Sequence, residues 1–401
     1  MPSSANKTVP ASPPFPSPLA GLKVLDLTRV LAGPFAGRML CDLGADVVKV
    51  EPPEGDVTRQ WGRQVCGIGG FYHQQNAGKR SICLDLRAEG ARELVLELAG
   101  QADVLIENFR PDVMPRLGLG YDDLRTANPR LIMLSISGFG QGGPQSRRAA
   151  YAPVIHAEAG FVDRIKRASS IDEALDLPWS AADTNAALHG VVAILAALIL
   201  RDRTGAGQHI DLAMMDAALV TDDNFHFEIE AAQELKGLPP EVWHAGAGPM
   251  LISADFRHLW RLLGREFGLV DPAGEGVSEG EKITLRRETV ATFLSTLADW
   301  DAVEGAMDRV NLAWGEVRAT ATLEQHPTVL ARGSIVQIDD RAGGTRPIPQ
   351  SPYRFSRATS EVRGPAARRG EHNEAALAGW LGKTPAETAA LAAAGVLVKD
   401  E

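Results

Sequence analysis

A chain of 401 residues with 45% hydrophobic and 23% charged residues has room for a large core plus a second unit, which excludes a disordered or fibrous polymer. A formal net charge of -10 excludes a general nucleic-acid binder, because neutralising phosphates takes a concentrated basic surface; any anion site must be built locally. Three widely spaced cysteines, Cys41, Cys66 and Cys83, exclude a disulfide framework or a CxxC zinc site and fit a reducing, cytoplasmic setting.

Residues 1–19 are rich in Pro and Ser, without the basic and then apolar order of a secretory signal, and read as a flexible tail. From Lys23 the chain alternates β-branched apolar runs with helical segments, the pattern of an α/β fold with a largely parallel sheet. Strands are predicted at 23–28, 45–51, 81–86, 103–109, 130–137 and 209–214, with helices over 33–42 and 87–100 crossing the sheet. The stretch 184–203 is apolar almost all round and stops at Gly205, which predicts a deeply buried helix; its longest apolar run, 190–200, falls short of the about 20 residues that span a membrane. The glycine cluster at 67–71 precedes no clear helix and reads as a loop.

After Asp222 the periodicity loosens, then helices are predicted around 254–268 and 285–318, followed by strand and turn chemistry near 333–356 and an Ala-rich helical end from Asn373. The expected organisation is therefore a large domain from 20–221 completed by 331–401, with a linker and smaller α+β domain over 222–330.

Within AADTNAALHG, Asp183 precedes the long apolar helix, and two readings of it stand side by side. In one, its oxygen caps the free N–H groups of the first turn. In the other, the positive helix end keeps the carboxylate ionised as a nucleophile.

The blocks DLTRVLAGPFAGRMLCDLGADVVKVEPPEGDVTR, GKRSICLDL, ADVLIENFRPDVMPRLGLGYDDL, NPRLIMLSISGFGQGGP, ADTNAALHG and RDRTGAGQHIDLAMMDAAL follow one another as in class III coenzyme A transferases, which the chain resembles over about 20–382. The resemblance implies a Rossmann-like large domain, a small inserted domain and an interlocked homodimer. It also implies transfer of CoA from an acyl-CoA to a carboxylic acid through an aspartyl anhydride and an aspartyl-CoA thioester on the residue matching Asp183. CoA contacts carry over to Leu31, Ala32, Lys79, Arg80, Asn108, Phe109, Arg110, Arg116 and Leu117, with acyl-CoA as substrate and neither metal nor NAD expected. Guanidinium groups suit phosphate oxygens, although Lys79, Arg80 and Arg116 read by themselves as solvated surface charge.

The chain departs from the family at two places. Leu31 stands where formyl-CoA:oxalate transferases have glutamine, and no tetraglycine loop appears, HAGAGP at 244–249 being nearest; oxalate is therefore not the expected acceptor. Pro52 follows Glu51 where those enzymes have arginine, so one phosphate contact must come from elsewhere.

Related α-methylacyl-CoA racemases carry a histidine where Tyr151 falls, and His156 lies five residues later, which makes racemisation the alternative reading and a non-catalytic CoA-binding homologue a third. The backbone N–H groups of 138–143 or 245–248 are candidates for stabilising the oxyanion. The run RVLAGPFAGR lacks the GxGxxG spacing of NAD sites, and neither membrane nor nucleic-acid partners are expected.

Overall fold

The structure is a computed structural model that describes residues 15–168, 173–229 and 241–399. Most of the predicted tail, and 230–240 of the predicted linker, lie outside the described residues. The chain divides into two compact units, one running to Asp223 and resuming at Leu330, the other being Asn224–Val329.

In the first unit six strands, β1 (Lys23–Asp26), β2 (Asp46–Glu51), β3 (Arg80–Cys83), β4 (Val104–Glu107), β5 (Ile132–Ser137) and β6 (Gln208–Ala213), form one parallel sheet. Each of the six predicted strands is present, with ends that differ from the prediction by up to three residues. Their order is β3-β2-β1-β4-β5-β6, that of doubly wound nucleotide-binding sheets, whose ligands bind at the carboxyl ends where the winding reverses.

Strand alternation explains the two cores. Val24, Val47, Val104, Ile106, Ile132 and Leu134 face α1 (Ala32–Asp42), α4 (Ala152–Glu158), α5 (Ala181–Thr204) and α6 (Met214–Thr221). Leu25, Val48, Ile82, Leu105 and Met133 face α2 (Ala91–Gln101), α3 (Tyr121–Ala127) and α10 (Asn373–Leu381). Both faces are covered, so the strands read as nearly continuous apolar runs. The free edge of β3 is closed by the C-terminal segment: Ser81 and His372 exchange bonds of 3.2 and 2.9 Å, Cys83 donates to Asn373 at 3.0 Å, and Val398 donates to Cys83 at 3.0 Å.

Helix α5 comes unusually close to the sheet. A Cβ at Gly190 would lie 2.7 Å from Leu134 Cδ2, so glycine is retained there despite costing about 1 kcal/mol in a helix interior. The helix ends at Gly205 with φ of 76°, beside Arg201 and Arg203, as its sequence predicts.

Its depth differs from the prediction. Ile194 and Ala197 are buried, yet Leu188, Val192 and Ile199 are 42%, 64% and 57% exposed and share one stripe. At 24 residues the whole helix is also long and apolar enough, by length and composition alone, to cross a bilayer; the shorter apolar run at its centre understated it.

Three further predictions are corrected. A helix, Gly70–Asn76, starts inside the 67–71 glycine cluster after the short strand Ile68–Gly69, because glycine without a Cβ fits against the Trp61 and Arg59 carbonyls. The Ala-rich end is two helices, α10 and α11 (Pro385–Ala393), separated by the Thr384–Glu387 capping box.

The second unit pairs an antiparallel sheet of β7 (Glu241–Ala245), β8 (Gly248–Ile252) and β9 (Trp314–Glu316) with α7 (Phe256–Phe267), α8 (Glu279–Ser295) and α9 (Trp300–Val310) around Met250, Leu263, Leu294 and Met307. The helical stretch predicted around 285–318 is thus α8, α9 and β9, interrupted where the Asp299 side chain accepts from Ala302 N–H and starts a new helix.

Candidate active site

Above the carboxyl ends of β1, β4 and β5 a cavity of about 490 Å³ opens, and Asp183 is in its wall. Its other lining comes from four crossovers: Arg29, Val30 and Ala32 after β1, Asn108 to Arg116 after β4, Gly138 to Tyr151 after β5, and Met214 after β6.

Asp183 is the third residue of α5, and Ser180 takes the cap position without a side-chain bond. The capping reading is therefore corrected. Instead the backbone N–H groups of Ala32 and Ala152, the first residues of α1 and α4, favour its charged form. Three helix N-termini converge on one buried side chain, and each favours negative charge.

Burial works against them and is the larger effect, pushing the Asp183 carboxyl up to about 6, while the two amides and the nearby His156 pull it down. At pH 7 such a group is ionised roughly ten to one, yet far less solvated than a surface carboxylate. A charged, poorly hydrated carboxylate facing a cavity is a competent attacking group.

His156 is fully buried in α4. Its Nδ1 lies 2.7 Å from an Asp176 oxygen and its Nε2 accepts from Ala182 N–H at 3.1 Å, so both ring nitrogens are engaged and the ring braces the start of α5. Tyr151, just before α4, is 56% exposed and lines the cavity with Asp183.

The loop after β1 is held under strain. Val30 has φ of 68°, a conformation β-branched residues rarely adopt, at a cost on the order of 1–3 kcal/mol. Three hydrogen bonds hold it: Arg29 N–H to Asn108 Oδ1 at 2.9 Å, Asn108 Nδ2 back to Arg29 O at 2.8 Å, and Val30 N–H to Asp56 at 3.1 Å. Asn108 thereby ties the two crossovers that diverge at the sheet's switch point. Behind it, buried Glu107 accepts from Phe109 N–H at 2.8 Å, and its burial pushes that carboxyl up to about 7.

A second cavity, about 700 Å³, adjoins the first through two shared residues, Arg29 and Phe109. Leu27, Val50, Leu84 and Leu86 give it an apolar surface, while Glu51, Asp56, Arg59 and Arg369 bring charge. Arg59 is committed to Glu51 at 2.8 and 2.6 Å and to Tyr72 at 2.8 Å.

Of the carried-over contact residues, Ala32, Asn108, Phe109, Arg110 and Arg116 line these cavities. Leu31, Lys79, Arg80 and Leu117 do not, and the reasons differ. Lys79 is buried with its ammonium shared among Asp26 at 2.7 Å, Pro34 O at 2.8 Å and Asn76 at 2.9 Å. Arg80 starts β3, at the opposite edge of the sheet, and pairs with Asp46 beneath Trp380. Leu31 is buried before α1, and Leu117 packs beside the second core.

The loop amides are also partly spent. Gln141 N–H donates to Asp211 at 3.0 Å, and within the second unit Gly246 and Ala247 donate to Leu294 and Leu297 carbonyls at 3.1 and 2.9 Å. Sequence reasoning missed Arg29, Arg148 and Arg369 as wall residues; only for Arg29, directly after the first strand of a nucleotide-binding crossover, was there a positional signal.

Comparison with known proteins gives the family. The family model for CoA-transferase family III matches residues 19–373. A succinate–glutarate CoA-transferase of Agrobacterium fabrum is 32% identical over 384 residues, covering 90% of this chain and 95% of that one. An acetyl-CoA:oxalate CoA-transferase of Acetobacter aceti is 43% identical over 217 residues, 53% of this chain and 54% of the relative. Among solved structures, a CAIB/BAIF family protein from Brucella suis has a TM-score of 0.77 at 32% identity, covering 91% of this chain and all of that one. The chain belongs to CoA-transferase family III.

Proposed function

We propose that the protein transfers coenzyme A from an acyl-CoA donor to a carboxylic acid acceptor, with Asp183 as the covalent carboxylate. The observation that carries this reading is the Asp183 carboxylate, set among the α1 and α4 N-terminal amides and facing the cavity.

In the first step an Asp183 oxygen attacks the thioester carbonyl, the oxyanion collapses, and CoA leaves as the thiolate, giving a mixed anhydride. The thiolate then attacks the aspartyl carbonyl and expels the donor's carboxylate, leaving aspartyl-CoA. An acceptor carboxylate repeats both steps in reverse, and Asp183 is regenerated with no net proton change. The amides of Ala32 and Ala152 hold the attacking group at the start and receive charge again when it leaves.

The extended ligand would run from Asp183 past Arg29, Arg110 and Arg116, which suit its diphosphate, into the second cavity. We also assign the exposed stripe of Leu188, Val192 and Ile199 to contact with a second copy in a homodimer, which light scattering of the wild type and of Val192→Glu would test.

The decisive experiment incubates the protein with panels of acyl-CoAs and free acids and follows CoA esters by mass spectrometry. Asp183→Ala should lower transfer by ~10⁴-fold or more while CoA still binds. Near-normal transfer by that variant, or the absence of any adduct on Asp183 under trapping with hydroxylamine, would overturn the reading. Exchange of an α-deuteron without an acceptor acid would point to racemisation instead.

A further inference from the structure

Two buried charges beneath α1 have no part in the transfer steps above. Asp26, at the end of β1, and Lys79, just before β3, pair at 2.7 Å with both side chains sealed from solvent. Burying two charges contributes little to stability once desolvation is counted, so such a pair adds direction more than strength.

What it directs is α1. The Lys79 ammonium also donates to the Pro34 carbonyl, in the first turn of that helix, at 2.8 Å, and to Asn76 Oδ1 at 2.9 Å. A Cβ on Gly37 would lie 2.6 Å from the Asp26 carboxylate and 3.0 Å from the Lys79 nitrogen, so the helix backbone rests directly on the pair. Gly33, on the same face, lies as tightly against the Thr28 side chain.

We propose that the Asp26–Lys79 pair positions α1 for catalysis, keeping its first turn against Asp183. This rests on the transferase reading above. On its other side α1 shares a core with α5 through Ala32, Ala36, Ala182 and Ala186, and Ala32 lines the cavity together with Asp183. The Ala32 N–H favours the ionised carboxylate, so a displacement of α1 is felt at the attacking group.

The chain leading into α1 is anchored from the same place. Thr28 N–H donates to Asp26 at 2.9 Å, its hydroxyl donates to the same oxygen, and Lys49 of β2 donates to the Thr28 carbonyl at 2.6 Å. Lys49 and Cys41 of α1 are further titratable groups acting on the pair. A lysine that touched CoA would act on binding, whereas one that sets α1 acts on the chemical step.

The test uses two variants. Asp26→Asn with Lys79→Met removes both charges together and leaves no buried ion unpaired, while Gly37→Ala keeps both and wedges α1 away from them. Transfer is followed with the most active acyl-CoA and acid pair from the panel, CoA binding by calorimetric titration, and folding by thermal melts. The double variant should lower kcat at least about tenfold and move its pH midpoint upward, with CoA affinity changed less than about twofold. His156, which is also titratable and lies beside Asp183, is untouched in both variants. Gly37→Ala should act in the same direction by about threefold, and it decides the matter if the double variant does not fold. An unchanged kcat and midpoint in folded protein would make the pair structural only, and a loss confined to CoA affinity would make Lys79 a ligand contact. Either result overturns the proposal and leaves the transferase reading standing. A wild type that transfers no CoA would remove both.

Discussion

The two cavities handle charge by opposite means. Around Asp183 backbone amides from α1 and α4, with His156 behind, favour the charged carboxylate, and burial still lifts its pKa to about 6. Around the second cavity charge is managed by side chains in pairs, Arg59 with Glu51 at 2.6 Å and Lys49 with Asp56 at 3.6 Å, with Arg369 on the wall. The difference suits the tasks proposed for each. An attacking group must shed and regain charge during turnover, and fixed dipoles allow that without rearrangement. A nucleotide end keeps its charge throughout, and full opposite charges hold it best.

The comparison can be broken most severely at Asp183. Asp183→Asn should abolish transfer yet stabilise the fold above pH 6. Because the folded carboxyl is raised from 3.8 to about 6, the folded state holds its proton more tightly, and stability falls as pH rises through that interval. The amide removes this penalty, worth up to about 3 kcal/mol at pH 8, and thermal melts of both proteins from pH 4 to 8 would show the two curves diverging above about 4. In the wild type, transfer should rise with pH through about 6 and then level off, as the attacking form is the ionised one.

Next in size is Ala152→Pro. Tyr151 already has the extended φ and ψ of -129° and 172° that precede proline, and Ala152 is the first helical residue, so the ring fits while deleting one donor to Asp183. Transfer should fall about 100-fold, and its pH midpoint should move upward. An unchanged profile would show that the amides are bystanders.

Asn108→Ala sharpens the comparison where the cavities meet. It removes both bonds that hold Arg29, leaves strained Val30 less constrained, and should raise KM for acyl-CoA about tenfold with a stability loss of about 1–2 kcal/mol. The smallest effect on transfer is expected from Glu107→Gln, whose side-chain carbonyl can still accept from Phe109 N–H. KM should change less than about twofold. The melting profile should flatten between pH 4.5 and 7, since the raised Glu107 carboxyl otherwise loses stability as pH rises through that range.

What could be read from the sequence were local patterns. Six strands announced themselves as β-branched runs, and the stop of α5 as RDRTG, because these depend on neighbours in the chain. The order of motifs carried the family, and Asp183 stood out as a lone carboxylate at the head of a long apolar helix.

What only the tertiary structure decided was everything that depends on who meets whom. Lys79 and Arg80 look alike in GKRS, yet one is sealed against Asp26 and the other turned to the far edge of the sheet. The partners of Asp183 are amides, which every residue possesses and no sequence marks. Arg369 reaches the second cavity only because the C-terminal segment returns to close the edge of β3. Periodicity and capping act over a few residues, whereas a binding wall is assembled by packing across hundreds, so composition and pattern predict elements far better than they predict the company those elements keep.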